Sequence, residues 1–221
     1  MSTEASPLQL QTVRRRPALS PAERAQLERR AKLLAWGGNA WHVVEFAIAV
    51  GAGIAAGSVA LVAFGVDSLI EVLAGGVVIW LFSGGRGASA TAERRAQKLI
   101  ALSFYLLAAY VIIESLRSFT GAHPEASWVG IGLAAVTAPT MPLLARAKQN
   151  VGRKLGSRAT ESEGQQNMIC AYLSIALLIG LGANAILGWW WADPLAGLVI
   201  AAVALREGRN SWRGDPSCGC C

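Results

Sequence analysis

Six apolar stretches recur along this chain, at Leu33 to Ala56, Ser58 to Phe82, Leu99 to Leu116, Trp128 to Leu144, Gln166 to Leu187 and Trp189 to Leu205. Each is near the roughly 20 residues that carry an α-helix across a hydrocarbon core, which predicts an all-α membrane protein, a six-transmembrane-helix bundle. Composition agrees, with 53% of residues hydrophobic, 15% charged and a mean hydropathy of +0.42, against about 25% charged in soluble domains. The first stretch starts only at Leu33, is too long for the apolar core of a signal peptide, and precedes no convincing small-residue cleavage site. A cleavable leader is therefore not expected.

A net charge of +6 raises the question of nucleic acid, and the placement of the charge answers it. Of 20 Lys and Arg, 19 (20 − 1, leaving out Arg117) fall before the first stretch, between Ser83 and Lys98, between Arg146 and Arg158, or after Leu205. With six spans those four regions share one side. The bias of basic residues toward the cytoplasm makes that side the inner one, so both termini are expected inside, and a lipid bilayer rather than nucleic acid is the expected partner. The connections around Gly57, Gly121 to Ser127 and Gly188 carry no Lys or Arg. Trp189, Trp190 and Trp191 fit an aromatic anchor at the outer interface.

The chain divides into a basic arm over residues 1–20, a helical membrane domain over 21–213 and a short cysteine-rich tail over 214–221. The arm carries Arg14, Arg15 and Arg16 and lacks apolar periodicity, so it reads as disordered chain near anionic lipid. Ser20-Pro21-Ala22-Glu23 has the N-cap hydroxyl, N1 proline and N3 carboxylate of a helix start, predicting a charged helix that runs into the first span. Glycines at 51, 53, 57, 75, 76, 180 and 182 predict close helix approach. Pro139 and Pro142 predict a kinked fourth span whose freed carbonyls Thr137 or water satisfies.

Against this apolar background the ionisable residues stand out. Asp67 and Glu71 lie four apart near the middle of the second stretch, on one helix face, where two carboxylates can share a cation. Each costs about 2.5 to 3.5 kcal/mol to insert at such depth, and such residues as a rule face a protein interior or an aqueous pathway. Asn39, His42 and Glu45 occupy the first stretch, Glu114 the third, Gln166, Asn167 and Cys170 the fifth, and Asp193 the start of the sixth. Antiparallel crossing brings Glu45, Asp67 and Glu71 near midplane, with Gln166 and Cys170 in the inner half to middle of the fifth. An interior polar site shared by three helices is the expectation. Carboxylate, imidazole and thiolate donors suit a borderline-soft divalent ion such as Zn²⁺ better than Mg²⁺. His42 and Glu45, at i and i+3, have three uses open to them: metal ligands, a proton relay, or partners for each other. Glu114 is placed to pair with Arg117.

Gly57-Ser58-Val59-Ala60-Leu61-Val62-Ala63 followed by Asp67-Ser68-Leu69-Ile70-Glu71 resembles the second helix of the cation diffusion facilitator family. Ala192-Asp193-Pro194-Leu195 leading to Arg206-Glu207-Gly208 resembles that family's sixth helix. The likeness covers about Leu33 to Arg213. It implies a six-helix divalent-metal/proton antiporter, not an enzyme, with the transported metal and protons as its only small partners and no prosthetic group. A gap-free count back from Asp193 puts Gln166 and Cys170 where the family has a His or Asp and then an Asp, so the implied metal set is Asp67, Glu71, Gln166 and Cys170. Two departures stand out: Phe64 occupies a position where many members have another Asp, and the fifth-helix pair is altered. The chain resembles a short branch without the cytoplasmic C-terminal domain, so any homodimer is expected to form through the membrane helices or arms.

Cys218, Cys220 and Cys221 in the tail allow capture of a soft ion at the cytoplasmic side, an exposed tail without ligand geometry, or prenylation. Composition rich in Ala, Arg and Gly points to a bacterial inner membrane. The expected function is Zn²⁺ efflux by proton antiport; the alternative is a non-transporting membrane sensor or scaffold whose cysteine tail binds metal. No nucleophile elbow, phosphate loop or HExxH spacing occurs, which leaves a soluble enzyme without support.

Overall fold

The structure, a computed structural model, describes residues 19–83, 90–120 and 124–213. Six helices account for them: α1 Pro21–Ala56, α2 Val59–Phe82, α3 Ala90–Ser118, α4 Trp128–Leu155, α5 Arg158–Leu187 and α6 Ala192–Arg213. Residues 1–18 of the basic arm and the cysteines at 218, 220 and 221 lie outside the described residues.

Local sequence sets the helix ends. At the start of α1 the Ser20 hydroxyl accepts from the Glu23 amide at 3.3 Å, while the Ser20 amide donates to Glu23 Oε2 at 3.0 Å. Gly57 closes α1 in the left-handed conformation, φ 64°, and the next residue, Ser58, caps α2 through a hydrogen bond from the Leu61 amide. Gly156 and Ser157 repeat that stop-and-start between α4 and α5. A glycine is needed there because an L side chain clashes in that backbone region.

The helices pack most extensively in three pairs, α1 on α2, α4 on α5 and α3 on α6. Further contacts of α1 with α4 and of α2 with α5 close the first two pairs into a four-helix unit, and the α3–α6 pair lies against it through α2 and α5. Among the described residues, α1, α2, α4 and α5 are each long and apolar enough to cross a membrane. The distribution of side chains is that of a protein solvated by lipid. Leu33, Trp36, Ile54, Leu106, Leu143, Ile179 and Ile186 face outward, whereas His42, Glu45, Asp67, Glu71, Lys148, Glu163 and Asn167 are buried.

Close approach is confined to particular glycines. A Cβ on Gly53 would lie 2.8 Å from the Val62 amide nitrogen, and one on Gly180 would lie 3.1 Å from the Ala192 carbonyl. Gly51, Gly76 and Gly182 meet nothing within 4 Å, so the close contacts expected of them are not made. The expectation for Thr137 is also corrected: its hydroxyl donates to Glu45 rather than to a carbonyl freed by a proline. Thr140 donates to the Val136 carbonyl at 2.8 Å, which neither proline frees.

At one end of the bundle, where α1 meets α2 and α5 meets α6, Asp193 joins two helix starts. Its Oδ1 accepts from Ser58 Oγ at 2.5 Å and its Oδ2 from the Ala60 amide at 3.4 Å. The unsatisfied amides and positive dipole end of α2 attract such a carboxylate, so Asp193 serves as a helix tie. Glu114 pairs with Arg117 at 2.7 Å, as its spacing predicts. Trp189 stacks on Trp191 with centroids 5.4 Å apart, and Trp190 meets Phe119 edge-on.

Candidate metal site

The polar positions of α1 fall on one stripe, Asn39, His42 and Glu45, and those of α5 on another, Glu163, Asn167, Cys170 and Ser174; all seven are buried. Spacings of three and four residues aim each set at one side of its helix. Ser68 and Glu71 on α2 and Thr137 and Met141 on α4 complete the interior. Polar side chains from four helices therefore meet inside the four-helix unit.

His42 is the hub. Its Nδ1 lies 3.1 Å from Glu45 Oε2 and 3.1 Å from Glu71 Oε2. Its Nε2 lies 2.8 Å from Asn167 Nδ2, which also donates to Glu71 Oε1 at 3.0 Å. Because the amide nitrogen is a donor, Nε2 is the acceptor and the ring proton sits on Nδ1, facing the carboxylates. Glu45 receives two more hydrogen bonds, from Ser68 Oγ at 2.9 Å and from Thr137 Oγ1. The Cys170 thiol is fully buried, with its sulfur near the Glu71 carboxylate.

One ligand atom from each of His42, Glu45, Glu71 and Cys170 lies within 4.8 Å of the other three. Tetrahedral zinc, with bonds of about 2.0 to 2.3 Å, needs ligand atoms about 3.3 to 3.8 Å apart, so the cluster would contract by roughly 1 Å around an ion. Asn167 Oδ1 is buried and receives no hydrogen bond among the described residues. Glu71 Oε2 has only the ion-pair contact with His42 Nδ1 at 3.1 Å, so a cation could take that place.

The expected site residues divide in this geometry. Glu71 and Cys170 enter the cluster, joined by His42 and Glu45. Asp67 stays buried one turn away along α2, and its electrostatic neighbours, Glu71, Glu45 and Glu207, are all acidic. Gln166 is buried with its Oε1 unpartnered, outside the four-ligand group. Asn167, Ser68 and Thr137, present in the sequence reading but outside its metal set, support the site, and a second polar pair, Lys148 and Glu163, was not singled out there. The signal for Glu163 was present, because it stands four residues before Asn167 on the same stripe.

A lipid-facing helical bundle around a buried cluster of nitrogen, oxygen and sulfur donors defines a multi-pass membrane protein that handles cations. The chain belongs to the cation efflux family: the profile of the cation efflux transmembrane domain matches residues 42–213. That family consists of cation transporters rather than enzymes. A search of curated proteins found no match to the chain.

Proposed function

We propose that this protein exports a divalent transition-metal cation, Zn²⁺ foremost, in exchange for protons across a bacterial inner membrane. In this reading all six helices span, and the basic ends lie in the cytoplasm. The observation that carries it is the convergence of His42, Glu45, Glu71 and Cys170 within 4.8 Å. A thiol with an imidazole favours zinc-like ions, and the two carboxylates offset the charge of a dication.

The same groups supply the proton side of the exchange. Metal binding requires a deprotonated thiol and a free imidazole lone pair. The Cys170 proton leaves as the ion arrives. The His42 proton can move from Nδ1 to Nε2, where rotation of the Asn167 amide would present Oδ1 as its acceptor. Asp67, one turn from the cluster among acidic neighbours, is the second carboxylate whose occupancy alternates between proton and cation as the site opens to either side.

Reconstituted protein tests this. With Zn²⁺ outside proteoliposomes and a pH-sensitive dye inside, metal uptake with counterflow of protons is expected, and Glu71→Ala or Asp67→Ala should abolish it. Unchanged flux in both variants overturns the assignment. Metal binding by wild-type protein without any flux would instead support the sensor.

A further inference from the structure

Lys148 on α4 is 1% exposed, a rare condition for an ammonium, and its Nζ lies 2.6 Å from Oε1 of Glu163 on α5. This pair stands apart from the four-ligand cluster, toward the end where α4 turns into α5. Glu163 precedes Asn167 by one turn on α5, and Asn39 precedes His42 by one turn on α1. Gly75 follows Glu71 by one turn on α2, so all three shift toward the same end of the bundle.

Glycines hollow the space. A Cβ on Gly38 would lie 2.8 Å from Lys148 Nζ. A Cβ on Gly75 would collide with Asn39 Oδ1 and lie 3.0 Å from Glu163 Oε1, so those two oxygens border one small volume. Asn39 is fixed by donating to the Val72 carbonyl at 3.2 Å. That bond leaves Asn39 Oδ1 buried with no hydrogen bond among the described residues, and Glu163 Oε2 is in the same state.

A buried ion pair is weak evidence for stability, since packed apolar residues do as well, and ionisable residues at membrane depth are by default functional. Two oxygen acceptors without donors are unexplained by the Lys148 contact alone. They are what a cation with several oxygen ligands would use. Lys148 also lies close enough to His42 and Glu71 to act on them electrostatically.

We propose that Glu163 and Asn39 form an inner cation subsite whose occupant here is the Lys148 ammonium, a tethered cation that a divalent ion displaces on its way to the His42–Glu71 cluster. The inference rests on the transport reading above. Its chemistry differs from that of the His42–Glu71 cluster, because all its ligands are oxygens. It takes hard and borderline divalent ions with part of their water retained, whereas the thiol-bearing cluster selects softer ones.

Co²⁺ distinguishes the two, because a thiolate ligand gives it a near-ultraviolet charge-transfer band and an oxygen site does not. Equilibrium dialysis of purified full-length protein in detergent should give one Co²⁺ per chain for wild type, with the band. Lys148→Met should double that to two, the band unchanged, and Lys148→Met/Glu163→Gln should return it to one. One Co²⁺ in folded Lys148→Met overturns the subsite and leaves the transport reading standing. No Co²⁺ in wild type overturns both. If Lys148→Met does not elute as a folded species, Asn39→Asp asks the same question with the lysine in place: a second Co²⁺ is expected, and a single one overturns the subsite.

Discussion

Thr137 on α4 donates its hydroxyl hydrogen bond to Glu45 on α1 across 2.5 Å, although 92 residues separate them in the chain. Glu45 Oε2 is held at the same time by Ser68 of α2 and His42 of its own helix. Three donors from three helices thus fix one carboxylate beside the His42 ring, and its orientation is set before any ion arrives.

Thr137→Val keeps the shape and removes the donor. Metal affinity should fall about 10- to 100-fold, the usual effect of losing a group that orients a ligand. Thr137→Ser should restore most of it. Co²⁺ titration of the three proteins measures the difference, and equal affinity in Thr137→Val would show that Glu45 needs no such support.

Asp67 and Glu71 should separate when binding and transport are measured independently. Glu71→Gln removes a member of the four-ligand group and should abolish the Co²⁺ charge-transfer band. Asp67→Asn should retain the band while losing flux, since Asp67 lies outside that group. Loss of the band in both variants would place Asp67 among the ligands.

Metal loading should release protons, and loading should weaken as pH falls, because protons compete for the thiolate and imidazole. Cys170→Ser should reduce the release by about one proton per ion. Titration in weakly buffered detergent solution, followed with a pH electrode, gives the count. An unchanged count would mean that the thiol stays protonated.

Ser58→Ala tests the helix tie. It removes the 2.5 Å hydrogen bond to buried Asp193 and should destabilise the bundle by about 1.5 to 3 kcal/mol, the range for bonds to charged groups. Thermal unfolding should report the loss, while Co²⁺ affinity stays within about twofold. A large change in affinity would show that the tie reaches the site.

Gly53→Val and Gly51→Ala lie two residues apart and should act in opposite directions. A side chain at 53 meets the α2 backbone and should cost about 1 to 3 kcal/mol. At 51 nothing lies within 4 Å, and an exposed helical alanine should stabilise by about 0.5 to 1 kcal/mol. Melting temperatures of the two variants decide it.

The helix plan was legible because lipid simplifies the code. Apolar length marks the spans, and Gly57-Ser58 and Gly156-Ser157 mark their ends. Glu71 and Cys170 were legible for a related reason, since an ionisable or thiol group deep in such a span needs a purpose. What sequence did not convey was azimuth. Asp67 and Glu71 share a helix face at low resolution, yet four residues amount to 400° of rotation and about 6 Å of rise, enough to put Glu71 in the ligand group and leave Asp67 outside it. The part Thr137 and Asn167 play at the site was not legible, because neutral polar residues carry no charge penalty that demands a partner. Lys148 sits in sequence among the basic residues of a flanking segment, and its burial, its pairing with Glu163 and its closeness to Gly38 show that its amine turns inward.

The meeting of four helices at His42 has one more implication. In lipid no water squeezes apolar helices together, so close packing and the few polar links across the bundle hold them in register. Those links here are the same side chains that are expected to grip the cargo. Grip and architecture are then a single property of this molecule: an ion at the centre would bind α1, α2 and α5 to one another as much as it binds to them, and its departure would loosen the frame at the moment the frame has to shift.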